Sequence, residues 1–116
     1  MAVKKVRYQS RSVEHHVAAP RTDVWPAVTA LLGNGHWSVQ DLSVEPPWRM
    51  AVELSRHNTD LVFLQSTVLI RDDGDSCHVA WALVFDPEPS QAGMAVAERL
   101  LDEMRAELQG LAKQFG

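Results

Sequence analysis

The stretch SQAGMAVAERLLDEMRAELQGLAKQF, residues 90–115, decides how this chain is read. Met94, Ala97, Leu101, Met104, Leu108, Leu111 and Phe115 follow one another at steps of three and four, which stacks them on one helical stripe. Leu100 and Ala112 widen the stripe. Glu98, Arg99, Asp102, Glu103, Arg105, Glu107 and Gln109 take the other side. A helix of about 25 residues is a rod of roughly 37 Å, as long as a small domain is wide. It has little stability alone, so its apolar stripe must lie against something. Ser90 stands where an N-cap belongs. The chain before it reads largely as strands, so the expected picture is a long helix laid across a curved sheet.

Working back from the helix, Asp86-Pro87-Glu88-Pro89 ends the sheet. Ser76 to Phe85 alternates, with Cys77, Val79, Trp81, Leu83 and Phe85 on one face. Asp72-Asp73-Gly74-Asp75 is a turn between two β-like runs. Leu61 to Arg71 carries apolar residues on both faces: Leu61, Phe63 and Leu69 against Val62, Leu64, Val68 and Ile70. It is therefore expected at the centre of the sheet. Gln65 and Thr67 interrupt the face of Phe63 and Leu69, which the reading turns inward. Buried polar groups need partners, so the two bond to neighbours or face a polar part of a cavity.

Residues 57–60 are a turn. Arg49 to Arg56 is a strand with Met50, Val52 and Leu54 facing in. Pro46-Pro47 separates it from a strand over Trp37 to Glu45. Val6 to Ala19 is the first strand, with Val13, His15 and Val17 on one face and Glu14 and His16 on the other. After Pro20, Thr22 to Leu32 reads as a short helix capped by Arg21 or Thr22, burying Trp25, Val28, Leu31 and Leu32. Pro26 confines the helix start, because proline is tolerated only in a first turn. Gly33-Asn34-Gly35 ends it. The order is strand, helix, four strands, long helix. That is an α+β fold: an antiparallel sheet of about five strands gripping a long C-terminal helix, with a short helix after the first strand.

The 116 residues show no repeat or linker and are read as one domain, 1–116. Hydrophobic residues make up 46%, too many for a disordered chain. The net charge of −4 disfavours nucleic acid as a partner, which requires a basic patch. The one basic cluster, Lys4, Lys5, Arg7 and Arg11, reads as a solvated arm or edge. Cys77 is the single cysteine, so no intrachain disulfide forms, and it reads as a buried, inert thiol. No apolar run approaches the roughly 20 residues of a membrane span, and the first residues lack a signal peptide's apolar core. The expectation is a soluble cytoplasmic protein.

Three local features then fall together. Val17-Ala18-Ala19-Pro20-x-x-Asp23-Val24-Trp25 resembles the strand, Ala-Pro, Val-Trp entry of the START-related, or SRPBCC, superfamily (polyketide cyclase/dehydrase-like). Asp72-Asp73-Gly74-Asp75-Ser76-Cys77-His78-Val79 resembles that family's Gly-Thr-x-Val turn and strand, with Asp75-Ser76-Cys77 in place of Gly-Thr. The long C-terminal helix is similar to the family's closing element. Pro26 directly after Trp25 departs from the pattern, and the chain is short for the family. The resemblance implies a helix-grip fold enclosing an apolar pocket. Members of the family bind lipids, steroids or polyketides; some are cyclases or aromatases, and others activate a chaperone ATPase. Fold alone does not choose among these.

The residues give few chemical candidates. His15 and His16 are strand neighbours that point to opposite faces, and His36, His57 and His78 lack a ligand spacing such as His-x-x-x-His. No metal or cofactor is therefore expected. His15 shares the inward face with Val13 and Val17, so its ring could orient a ligand or transfer a proton. It is the single catalytic candidate. Glu45, Glu53 and Asp60 form no acid/base pair, and no phosphate loop or nucleophile elbow is present. Arg49 and Glu53 share one face of a strand and read as members of cross-strand surface pairs. Trp25 reads as a core anchor, while Trp37 and Trp48 flank turns, at a cavity mouth or an oligomer contact. The favoured function is binding of a small apolar or amphipathic molecule, with His15, Gln65, Thr67, Trp81 and Met104 as contacts. The alternatives are a cyclase, aromatase or dehydratase using His15, and an interaction protein with a filled core that pairs as a homodimer through Trp37 and Trp48.

Overall fold

Alternation in the strands and the 3–4 stripe of the last helix build one antiparallel sheet and two helices. A computed structural model of the chain describes residues 7–33, 38–55, 61 and 63–116. The order is β1 (Gln9–Val17), α1 (Arg21–Gly33), β2 (Ser38–Glu45), β3 (Arg49–Ser55), β4 (Leu64–Asp73), β5 (Ser76–Phe85) and α2 (Gln91–Phe115). The five strands lie in the order β1-β5-β4-β3-β2, every neighbour antiparallel. The fold is α+β, with β4 at the centre of the sheet. Lys4, Lys5, His36, Trp37, His57, Asp60 and Val62 lie outside the described residues.

The turns follow from local chemistry. Gly74 has φ +64, a left-handed conformation that costs glycine nothing, and it closes the two-residue turn between paired Asp73 and Ser76. The Ser76 hydroxyl donates to the Asp73 carbonyl at 2.8 Å and fastens the turn. Ser90 caps α2 by accepting the Gly93 N–H at 3.0 Å.

α2 lies against β1 and β5 and touches α1. It buries Ala97, Leu100, Met104, Leu108 and Leu111, and leaves Met94, Leu101 and Phe115 half-buried. The centre of the stripe is thus Leu100 rather than Leu101. A true 3.6-residue period carries the contact line from Met104 back to Leu100 and Ala97.

α1 corrects the sequence reading in three ways. Its buried line is Val24, Val28 and Leu32, spaced by four, while Trp25 and Leu31 pack half-buried at its flank. It begins at Arg21, so Pro26 is its sixth residue and lies past the first turn. Its cap is neither Arg21 nor Thr22 but a residue distant in sequence. Asp72 Oδ1 accepts the Arg21 backbone N–H at 3.0 Å, and Oδ2 lies 3.1 Å from Arg21 Nε. A carboxylate on the first N–H suits the positive end of the helix. It also ties the end of β4 to the start of α1.

Candidate ligand-binding interior

Directly paired residues in an antiparallel sheet share a face, so the register defines the inner surface. One inner row runs Val13, Trp81, Val68, Met50 across β1, β5, β4 and β3, and ends at Val44 on β2. The next runs Leu83, Ser66, Val52. Val79 and Ile70 pair on the other side, with His15 opposite Val79. Apart from His15 and Val44 these side chains are buried, and α2 brings Met104 and Leu108 into the same core.

Ser66 and Trp81 stand diagonally across this surface. The indole Nε1–H donates to Ser66 Oγ at 2.6 Å, and Ser66 Oγ–H donates to the Ala82 carbonyl at 3.3 Å. Among the described residues Ser66, 1% exposed, is the one buried polar side chain. Trp81 is 6% exposed. A buried N–H without an acceptor would cost more than the bond itself gains, so the serine fixes the indole plane rather than merely tolerating it. Among the described residues no buried side-chain nitrogen or oxygen lacks a partner.

His15 is half-buried beside Val13 and Val17. Its Nδ1 lies 2.6 Å from the His16 carbonyl, which can only accept, so Nδ1 carries the proton. In the neutral ring Nε2 is then the atom with a free lone pair.

The other expected contacts divide. Trp81 and Met104 face the interior. Gln65 and Thr67 do not. The buried residues of β4 are Leu64, Ser66, Val68 and Ile70, and Gln65 and Thr67 alternate with them on the outer face beside Leu69, which is 42% exposed. Small or polar cross-strand neighbours surround them there: Ala51 and Ala82 pair with Thr67, and Glu53 and Val84 pair with Gln65. Ser66 was the polar interruption that mattered. It was visible as the one hydroxyl in an otherwise aliphatic alternation. Cys77 is fully buried opposite Val17; burial and then the Asp72 carboxylate push its thiol pKa up, so it stays protonated and unreactive. Arg49 pairs across the β2–β3 hairpin, with Ser43 Oγ at 3.1 Å and Glu45 Oε2 at 3.9 Å. Trp48 is 41% exposed in that hairpin. Among the described residues no group of three His, Cys, Asp or Glu could hold a metal, and no helix is long and apolar enough to cross a membrane.

The order of strands, the entry helix and the helix across the sheet can be compared with known proteins. No family model matches the chain, and no curated protein does. Solved structures do. CalU16 from Micromonospora echinospora is similar over 90% of this chain and 73% of its own, at 17% identity and TM-score 0.67. A START superfamily protein from Mycobacterium smegmatis is similar over 95% of this chain and all of its own, at 13% identity and TM-score 0.67. The chain has a START-like fold. The third similar structure, the di-domain ARO/CYC BexL from the BE-7585A biosynthetic pathway, matches over 90% of this chain at 14% identity and TM-score 0.72. This START-like chain spans 45% of that two-domain protein. At such identities the likeness concerns the fold.

Proposed function

We propose that the chain binds a small apolar or amphipathic molecule between the inner sheet face and α2. The observation that carries this reading is the indole of Trp81, held in one orientation by a buried serine at the middle of that face. A fixed aromatic wall at the centre of a START-like sheet is the kind of surface on which a flat apolar ligand rests. Met104 contributes an adaptable thioether from the helix side. His15 Nε2 accepts a hydrogen bond from a hydroxyl on the ligand. Gln65 and Thr67, on the outer face, take no part.

The test uses the neutral fluorescent probe N-phenyl-1-naphthylamine and the NMR signal of the Met104 methyl group. The expected result is saturable fluorescence enhancement together with a shifted Met104 methyl. Trp81→Phe should weaken the affinity about tenfold, an amount equivalent to about 1.4 kcal/mol. Absence of saturable binding, or saturation that leaves the Met104 methyl unmoved, contradicts the reading.

A second reading, cyclase or aromatase chemistry, is favoured by one observation: the His16 carbonyl holds His15 in the tautomer that leaves Nε2 free to take a proton. Under that reading His15→Ala retains the ligand and loses turnover. Under the first it weakens binding.

A further inference from the structure

The inner sheet face ends on β2 in a carboxylate, and a bulge puts it there. β2 and β3 pair Ser43 with Ala51 and Asp41 with Val52, so Leu42 is an extra residue without a partner of its own. Plain alternation from the inward Val44 would turn Leu42 inward and Asp41 outward. The extra residue reverses this and sets Asp41 on the face of Val52. The inner row of Leu83, Ser66 and Val52 therefore ends at Asp41. Re-aiming a side chain is what a bulge of this kind does.

This end of the row is the open side of the interior. α2 lies against β1 and β5, and α1 against β4. Val44, 43% exposed, and Leu42, 50% exposed, carry apolar surface from the buried Met50 and Val52 out to solvent. Asp41 is exposed beside them, and among the described residues its carboxylate has no hydrogen-bond or ion-pair partner. Glu45, the other acid of β2, lies on the outer face with Arg49. Arg11 stands opposite Leu83 at the far end of the same row, four strand spacings or about 19 Å away, too far to neutralise Asp41. Trp81 is three spacings away, about 14 Å, with Val68 and Met50 between.

An elongated ligand that reaches from the indole to this edge lays its apolar body over Val68 and Met50 and its far end beside Asp41. A carboxylate accepts hydrogen bonds and carries negative charge, so that end must donate or be positive. A unit charge pair about 4 Å apart in water changes affinity about fivefold. An anionic end is repelled by a similar factor.

We propose that Asp41 sets the ligand class of the interior as a cationic amphiphile, an elongated apolar amine whose ammonium group sits at the β2 edge. This inference rests on the ligand-binding reading given above.

The test is displacement of N-phenyl-1-naphthylamine at pH 7 by decylamine, 1-decanol and decanoate, each below the concentration at which it aggregates. The three share one chain and differ in the charge of the head group. The expected result is half-displacement by decylamine at a concentration about fivefold below that of decanol, and by decanoate about fivefold above it. Asp41→Asn should bring the three to within about twofold of one another, with the far-ultraviolet circular dichroism of the parent retained, and Asp41→Lys should reverse their order. Equal displacement by all three in the parent, or a cation preference that survives Asp41→Asn, overturns the proposal and leaves the binding reading in place; the carboxylate then only guards a free sheet edge. Failure of all three to displace the probe overturns both.

Discussion

Removing one hydroxyl should disturb this fold more than its size implies. Ser66→Ala deletes Oγ, which accepts the Trp81 N–H at 2.6 Å and donates a long bond of 3.3 Å to Ala82. The second bond is weak and its loss costs little. The first leaves an indole N–H without an acceptor at a position only 6% exposed. An unsatisfied buried donor costs about 1–3 kcal/mol. The predicted loss is about 2 kcal/mol, a large share of the 5–15 kcal/mol that holds a typical domain folded. Trp81→Phe removes the same donor together with part of the ring, and creates a void. In the Ser66→Ala background the stranded N–H is already gone once tryptophan becomes phenylalanine. The double variant should therefore be more stable than the sum of the singles predicts, by about 1–2 kcal/mol. Urea unfolding followed by far-ultraviolet circular dichroism is the suitable assay, because tryptophan emission changes in half of the cycle. A Ser66→Ala protein within about 0.5 kcal/mol of the parent, or strict additivity, would refute the claim that the serine fixes the indole.

Three further outcomes follow from the geometry. Leu108→Asp, at a 1% exposed position on α2, should yield insoluble or unfolded protein, whereas Leu101→Asp, at a half-buried one, should remain folded with a lowered midpoint; expression and thermal melts of the pair test the position of the helix stripe. Asp72→Asn keeps an acceptor for the Arg21 N–H but loses the charge; with both side chains partly exposed, it should cost about 0.3–1 kcal/mol, and Asp72→Ala more, measured by urea midpoints. Glu107 has its pKa raised, first by burial and then by Glu103 one turn earlier, so the folded state holds its proton more tightly than the unfolded state. Its ionisation therefore costs stability as pH rises from the ordinary glutamate range, near 4.3, through the raised value. Glu107→Gln should be more stable than the parent at neutral pH by about 0.2–0.5 kcal/mol, and the gap should close below about pH 4. A gap that persists in acid would show that charge is not its source.

The elements were legible wherever one periodicity dominated. Ser76–Phe85 alternates without a break, and its buried set is Cys77, Val79, Trp81, Leu83 and Phe85, as its pattern requires. Ser90 and Gly74 declare a cap and a turn through their own chemistry. Errors arose where two faces carried similar side chains. Leu69 on β4 and Phe63 just before it draw an inward assignment to the face of Gln65 and Thr67. Pairing with Ala51 and Ala82 leaves that face thinly covered, and Leu69 stays 42% exposed. The cap on α1 could not be read locally, because Asp72 lies 51 residues away in sequence. The inward aim of Asp41 likewise exists only once the register is known. Periodicity places Trp81 and Met104 on the inward face, and alternation with Val13 and Val17 places His15 there.

The central claim is that the interior holds a small molecule. Native mass spectrometry of the protein purified from its own host, followed by denaturing release, addresses it most directly. The account predicts a near-stoichiometric adduct that is lost on denaturation and whose mass identifies an apolar or amphipathic compound. A ligand-free mass in repeated preparations, above all as a dimer, would contradict it and favour the interaction protein with a filled core.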